Sequence, residues 1–266
     1  MTKIAMNGAL GRMGARILHF ANESPNYKIV GAFEGAKNKG LGKDIGEALA
    51  FGKQAGVKVA EVSAASLKGA ETLIDFSSPE GTAKCLDAAL ATKTALVVGT
   101  TGIEEPLSLR IRAASKNIPV IFSPNMSLGA NFLFELAELA ASRLGGDYDI
   151  EIIETHHRLK KDAPSGTAKK IAEVIAKAKG WDLKKAARYG RQGLTGERSR
   201  HELGIHVVRG GDIVGEHTIL FHGPGETIEL KHTALSRDAF AKGALVAAAF
   251  LSKKKNGLYT MADVLK

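Results

Sequence analysis

A short apolar strand, Lys3 to Met6, runs into Asn7-Gly8-Ala9-Leu10-Gly11-Arg12-Met13-Gly14, and the amphipathic segment Ala15 to Ala21 follows at once. Strand, glycine-rich turn and helix in that order leave backbone N–H groups and a helix N-terminus where a pyrophosphate can be cradled. Only glycine lets the backbone approach that closely. The spacing is G-x-x-G-x-x-G, with Leu10 where the second glycine of G-x-G-x-x-G would stand, so a plain tight turn before a helix competes with the phosphate reading. A second strand, Lys28 to Phe33, ends in Glu34, 20 residues after Gly14. A carboxylate at that distance hydrogen-bonds the adenosine ribose in dinucleotide-binding folds, and the pair of signals favours that reading. Gly35 offers no side chain to a phosphate, and the next cations are Lys37 and Lys39. The pattern leans toward NADH and keeps NADPH open.

Short apolar strands then alternate with helical segments. Val57 to Ala60, Thr72 to Asp75, Ala95 to Val98 and Pro119 to Phe122 read as strands, and Pro79 to Ala91 and Glu104 to Ser115 as helices. The alternation predicts an α/β fold with an N-terminal, Rossmann-like, doubly wound parallel sheet. Three strand ends carry ligand-like chemistry: Phe76-Ser77-Ser78-Pro79, Gly99-Thr100-Thr101-Gly102 and Ser123-Pro124-Asn125-Met126. Such sheets bind ligands at the carboxyl ends of their strands, although Ser and Thr are also ordinary helix caps. Cys85 falls inside a helical pattern and reads as a core or half-buried residue, which counts against a thiol-dependent aldehyde dehydrogenase.

Gly129 to Leu144 is strongly helical, with Phe132, Leu133, Leu136, Leu139 and Ala140 on one face, and leads into a second domain. There the strand pattern Asp149 to Glu154 meets the helical pattern Ala168 to Lys179 through E-T-H-H-R-L-K-K-D-A-P-S-G-T-A, Glu154 to Ala168. This loop gathers His156, His157, Arg158, Lys160 and Lys161 ahead of Ser165, Gly166 and Thr167 at a helix start, a set able to hold an anion and move a proton. Further on, Glu202 to Arg209, Ile213 to Phe221 and Thr227 to Thr233 read as strands joined by Gly210-Gly211-Asp212 and Gly223-Pro224-Gly225, as in antiparallel hairpins. Asp238 to Leu251 is again helical and is expected to return to the first domain. The predicted organisation is a dinucleotide-binding domain of residues 1–127 with 237–266, and an α+β substrate-binding and oligomerisation domain of residues 128–236.

The net charge of +9 invites a nucleic-acid reading, but the positive residues are spread along the chain and only four tyrosines and one tryptophan are available for stacking. Small anionic ligands fit that charge better. No apolar run approaches the roughly 20 residues of a membrane span. The start lacks the pattern of a signal peptide, so a soluble, cytoplasmic protein is expected. One cysteine excludes an internal disulfide and a cysteine-built metal site. Seven of the eight histidines lie after residue 150, but adjacent His156 and His157 point to opposite faces of a strand and no H-x-x-x-H pair exists, so no metal is expected.

G-A-L-G-R-M-G from Gly8, D-F-S-S-P-E-G-T from Asp75, V-G-T-T-G from Val98, the histidine loop and G-D-I-V-G-E-H from Gly211 together resemble the 4-hydroxy-tetrahydrodipicolinate reductases. This family, also called dihydrodipicolinate reductases, serves bacterial lysine and diaminopimelate synthesis. The resemblance spans essentially the whole chain, and the histidine loop is its most specific part. It implies reduction of a cyclic imine dicarboxylate by NADH or NADPH with loss of water, in an enzyme that is typically a homotetramer. By the same resemblance His156 matches the acid/base position and Lys160 a second proton-donating position. His157, Ser165, Gly166 and Thr167 match the substrate side. Gly8, Ala9, Leu10, Gly11, Arg12 and Met13 match the pyrophosphate turn, Glu34 the ribose contact, Gly99, Thr100 and Thr101 the loop near the nicotinamide, and Ser123, Pro124, Asn125 and Met126 the loop after it. Gly35 departs from members with arginine there.

The chemistry assigns the proton work in the same region. Hydride delivery to an imine leaves negative charge on nitrogen unless a proton is supplied. The cations around His156 are expected to disfavour a further positive charge on it, so Lys160 is expected to donate while His156 orients or relays. Another two-domain dehydrogenase acting on an amino-acid-derived imine or carbonyl is the competing enzyme reading, and a non-catalytic dinucleotide sensor the competing non-enzyme one.

Overall fold

The computed structural model describes all residues, 1–266. The chain divides into two compact units, Met1–Leu128 with Asp238–Lys266, and Gly129–Arg237.

The first unit holds β1 (Thr2–Asn7), α1 (Arg12–Glu23), β2 (Tyr27–Phe33), α2 (Ile45–Ala48), β3 (Val59–Ala60), β4 (Thr72–Asp75), α3 (Pro79–Thr92), β5 (Ala95–Val98), α4 (Glu105–Ala114) and β6 (Pro119–Phe122). Its strands form a seven-stranded sheet that is completed by the last strand of the chain, and every pairing is parallel. β4 and β5 are buried along their whole length, which is why β5 reads as an unbroken apolar run and β4 as one between Thr72 and Asp75. The strand order reverses direction between β1 and β4. At such a reversal the connections on either side diverge and leave a crevice at the carboxyl ends of the strands.

The second unit begins with α5 (Leu128–Arg143) and continues through β7 (Asp149–His156), α6 (Gly166–Lys179), α7 (Leu183–Ala186), β8 (Ala187–Tyr189), β9 (Leu203–Arg209), β10 (Gly215–Gly223) and β11 (Glu226–Ala234). Its sheet runs β11-β10-β7-β9-β8 and is mixed: β7 pairs in parallel with β9 and antiparallel with β10. The expected hairpin across Gly210-Gly211-Asp212 is therefore not formed, because β7 lies between the two strands that turn was thought to join. Only β10 and β11 make a hairpin. The Gly210–Val214 connection instead crosses the end of β7, where His157 N–H donates to the Ile213 carbonyl at 2.8 Å, Arg158 N–H to Gly211 at 3.1 Å and Gly210 N–H to His156 at 3.0 Å.

The α6 side of this sheet is apolar: Ile150, Ile152, Leu203, Ile205, Ile219 and Phe221 pack with Leu133, Ala137 and Ala141 of α5 and with Ala168, Ile171, Ala172 and Ile175 of α6. Phe132 and Leu139, expected to share one apolar face with Leu133, are exposed while Leu133 is buried. The chain ends with α8 (Asp238–Leu251), β12 (Gly257–Tyr259) and α9 (Met261–Leu265). α8 buries Ala241, Ala244, Leu245, Ala247, Ala248 and Leu251 in the core of the first unit, and β12 pairs with β6.

Candidate active site

The first unit carries a cleft of about 440 Å³ at the reversal point of its sheet, lined by Asn7, Gly8 and Gly11 after β1, Glu34 and Gly35 after β2, Glu61 after β3, and Phe76 to Ser78 after β4. Gly8 sits at φ +76°, where an L side chain is strained, and a Cβ on it would come 2.4 Å from the Phe76 carbonyl oxygen. A Cβ on Gly14 would come 2.0 Å from the Gly8 oxygen. The two glycines thus let α1 begin directly against the turn. α1 has no side-chain cap and no acidic residue in its first turn, so the positive end of its dipole stays available to an anion. Glu34 accepts a hydrogen bond from Leu10 N–H at 2.7 Å, which fixes its carboxylate beside that turn. The N–H groups of Gly8, Ala9, Leu10 and Gly11 are bonded within the protein, so a dinucleotide fits these residues through the first-turn N–H groups of α1, from Arg12 on, for the pyrophosphate and a held acid for the ribose.

Of the other residues expected on this side, Ala9 and Met126 are buried, while Arg12, Thr101 and Pro124 are exposed and Met13 packs on the core. Ser123 and Asn125 form a tight turn, the Ser123 hydroxyl donating to the Asn125 carbonyl at 2.8 Å. Gly99 packs on the Phe76 ring. Gly99 to Thr101 and Ser123 to Met126 do not line the cleft itself. Thr100 is joined to it through a residue that sequence reasoning passed over. Asp75, fully buried at the end of β4, accepts from Asn7 Nδ2 at 2.8 Å, Ser77 Oγ at 2.6 Å, Thr82 Oγ1 at 2.5 Å and Thr100 Oγ1 at 2.8 Å. One carboxylate thereby ties the ends of β1 and β4, the loop after β5 and the first turn of α3. Burial and the Asp75 charge push the Cys85 thiol well above its ordinary range, so it is no nucleophile.

In the second unit β7 alternates buried and half-buried residues, and Ile150, Ile152, Glu154 and His156 share the buried face. Period-two geometry makes Glu154 and His156 neighbours. Glu154 Oε2 lies 2.5 Å from His156 Nδ1. Arg209, register partner of His156 on β9, donates both guanidinium arms to Glu154 at 2.9 Å each, and Ser165 N–H donates to Oε1 at 2.9 Å. Burial alone would raise the Glu154 carboxyl, but the hydrogen bonds from His156, Arg209 and Ser165 outweigh it and hold the group at about 2. With Glu154 ionised, His156 is fixed with its proton on Nδ1 and its Nε2 free for chemistry. The nearest charged partner of His156 is thus a carboxylate, not the cations that sequence reasoning placed around it.

Lys160 reaches Asp162 Oδ1 at 2.8 Å, and Arg209 also donates to the Asp162 carbonyl at 2.7 Å. The loop is thereby pinned to the same arginine as the Glu154–His156 pair. Ser165 is buried and its hydroxyl caps α6, accepting from Ala168 N–H at 3.1 Å and meeting His217 Nε2 at 3.0 Å. Its side chain therefore holds the helix start in place, while Gly166 is exposed and Thr167 half-exposed at the tip. His157 is half-buried. His217 stands opposite Glu154 on β10 and edge-on to His156, with ring centroids 5.2 Å apart. Burial first, then the neighbouring His156 ring, pushes His217 down to about 3, so it is a neutral imidazole. Glu154, Arg209 and His217 were absent from the expected set. The E-x-H spacing on a strand was a readable signal for Glu154, but nothing local marks Arg209 or His217.

Family models for dihydrodipicolinate reductase match both parts of the sequence, the N-terminal model over residues 2–126 and the C-terminal model over residues 129–265. The chain belongs to the dihydrodipicolinate reductase family. Curated relatives named 4-hydroxy-tetrahydrodipicolinate reductase include that of Anaeromyxobacter dehalogenans strain 2CP-C, 46% identical over 100% of this chain and 98% of the relative. That of Burkholderia thailandensis is 48% identical over 99% and 97%. Among solved structures, a dipicolinate-bound dihydrodipicolinate reductase from Paenisporosarcina sp. TG-14 matches with a TM-score of 0.75 and 25% identity, over 98% of this chain and 97% of that one. An amine dehydrogenase from Mycobacterium smegmatis, at TM-score 0.60 and 11% identity over 98% and 95% of the two chains, shares the fold alone. In this reductase no helix is long and apolar enough to cross a membrane.

Proposed function

We propose that the protein reduces 4-hydroxy-tetrahydrodipicolinate to tetrahydrodipicolinate in lysine and diaminopimelate synthesis, with NADH or NADPH as reductant and with release of water. The hydroxyl leaves as water together with a hydrogen of the substrate's own ring, and one hydride and one proton enter in their place, so a single turnover consumes the reduced cofactor and one proton from solution. The observation that carries this reading is the Glu154–His156 pair clamped by Arg209 beside Lys160 and the α6 start, in a chain whose whole length matches one reductase family. A bound nicotinamide cofactor supplies the hydride.

The chain's own residues do the remaining work. Backbone N–H groups at Gly166 and Thr167, at the positive end of α6, receive a substrate carboxylate, and His157 is a second contact. Lys160 donates the proton that offsets the negative charge hydride delivery places on the conjugated imine nitrogen, a contribution typically of about 10²- to 10⁴-fold. His156 offers Nε2 to orient the substrate or relay a proton, and any charge it gains faces Glu154. The turn of Gly8, Ala9, Leu10 and Gly11 shapes the pyrophosphate seat, Arg12 and Met13 at the α1 start supply its donors, and Glu34 takes the ribose. Gly99 to Thr101 and Ser123 to Met126 frame the nicotinamide end.

The working form is proposed to be a cytoplasmic homotetramer, supported by the exposed Val207, Val208 and Ile228 on the sheet of the second unit. The test is a steady-state assay on freshly generated hydroxy-tetrahydrodipicolinate with NADH and NADPH in parallel. Oxidation of neither cofactor would overturn the assignment. Lys160→Ala with nearly full turnover, beside an inactive His156→Ala, would reverse the two proton roles.

A further inference from the structure

The cleft of the first unit is lined by carboxylates from three separate elements. Glu34 follows β2, Glu61 follows β3 and Glu80 sits in the first turn of α3, and all three line the space beside Gly8 and Gly11. Lys84, one helical turn beyond Glu80, is the one cationic side chain among the lining residues, so the rim is net negative. Arg12, Lys37 and Lys39 are exposed and lie outside that lining. Two of the acids are held in place. Leu10 N–H fixes Glu34 Oε1 at 2.7 Å, and the Ser78 hydroxyl donates to Glu80 Oε2 at 2.9 Å, the leading reason the Glu80 carboxyl lies below its ordinary range. Glu34 N–H donates to the Ala60 carbonyl at 2.9 Å, which brings the chain ahead of Glu61 alongside Glu34.

We propose that Glu34, Glu61 and Glu80 together make this cleft selective for the dinucleotide whose adenosine ribose carries no phosphate, NADH over NADPH. The inference rests on the reading of the cleft as the cofactor site. A ribose with free hydroxyls donates to a carboxylate; a ribose phosphate, carrying about two negative charges at neutral pH, meets three like charges and one lysine. Gly35 sharpens the point. A Cβ built there meets nothing within 4 Å and its φ is not positive, so packing does not demand glycine. A cation at this position would have room, and the chain places none there.

Direct binding separates the possibilities without reliance on turnover. The full-length protein is titrated with NADH and with NADPH by calorimetry, at low and at raised ionic strength. NADH is expected to bind at least about tenfold more tightly at low salt, with the gap narrowing as salt screens the repulsion. In the double variant Glu61→Gln/Glu80→Gln the ratio of the two affinities falls several-fold toward one. In Gly35→Arg it falls further, because a guanidinium pairs bidentately with a phosphate. Equal affinities in the unaltered protein, a preference for NADPH, or a ratio unmoved in the double variant would each overturn the selectivity while leaving the cleft a cofactor site. Binding of neither dinucleotide would remove the cofactor reading and the selectivity with it.

Discussion

Glu154 and His156 stand two residues apart on one buried face of β7, with the carboxylate Oε2 2.5 Å from the imidazole Nδ1. The same carboxylate is clasped by both arms of Arg209, so Glu154, His156 and Arg209 form one hydrogen-bonded unit whose open end is His156 Nε2. Glu154→Gln preserves shape and removes the charge. It is expected to lower kcat by about 10²- to 10⁴-fold, as when an orienting acid behind a catalytic histidine is neutralised. Thermal melting run beside the kinetics separates this from unfolding, and a folded variant with near-normal kcat would remove Glu154 from the mechanism.

His217 makes acid stability readable. Its folded pKa, about 3, is depressed by burial first and by its neighbour His156 second, while in the unfolded chain it takes a proton near 6.5. Between these values the unfolded state binds the extra proton, so stability falls as pH drops below about 6.5. Glu154, held at about 2, loses its contribution only below about pH 4.5. Urea unfolding should show the wild type losing about 2 kcal/mol more than His217→Gln between pH 7 and pH 5. Parallel curves for the two proteins would contradict the assignment of His217 as a buried neutral imidazole.

Asp75 gathers Asn7, Ser77, Thr82 and Thr100 without any cation. Asp75→Ala strands those four polar groups around an empty acceptor position. The variant is expected to lose about 2–4 kcal/mol in urea unfolding and to bind cofactor more weakly, because the loops after β1, β4 and β5 lose their common tie. Calorimetry with NADH on the folded fraction checks the second effect.

Gly14 has no room for a methyl group, since its Cβ would fall 2.0 Å from the Gly8 oxygen and 2.9 Å from Ala9 Cα. Gly14→Ala pushes α1 away from the turn that it caps. The expected outcome is a destabilisation of about 2–4 kcal/mol together with NADH binding weakened by at least about tenfold. A variant with unchanged cofactor affinity would mean that the pyrophosphate does not sit at this helix start.

What the sequence disclosed depended on whether the signal was local. β4, β5 and β6 were read residue for residue, because fully buried parallel strands are unbroken apolar runs. β7 extends two residues beyond the expected strand: Thr155 and His156 look like loop residues, yet Thr155 sits in register with both β9 and β10 and His156 with β9. The misread hairpin has the same origin. A glycine turn between two strands states that the chain reverses, not which strand lies beside it. Arg209 is 55 positions from Glu154 and carries no pattern of its own, so its role follows only from sheet register. Phe132 and Leu139 obey the helical period but are exposed on α5, since periodicity reports an apolar face without reporting what covers it. α2, α7 and α9 are four or five residues long, too short for a period to be seen.

Gly243 of α8 packs so closely on the Met126 carbonyl that a Cβ there would come within 1.8 Å of the oxygen. The first unit therefore has its exit point, at residues 126–128, beside its point of re-entry on α8. Architecturally the second unit is a parenthesis: a whole domain inserted at one spot in an otherwise continuous nucleotide-binding module. The two halves of that module are joined as one core by α8 and β12. Evolution of such a chain can exchange the bracketed text while the surrounding sentence stays grammatical, so replacement of the inserted unit need not disturb the parallel sheet that encloses it in sequence.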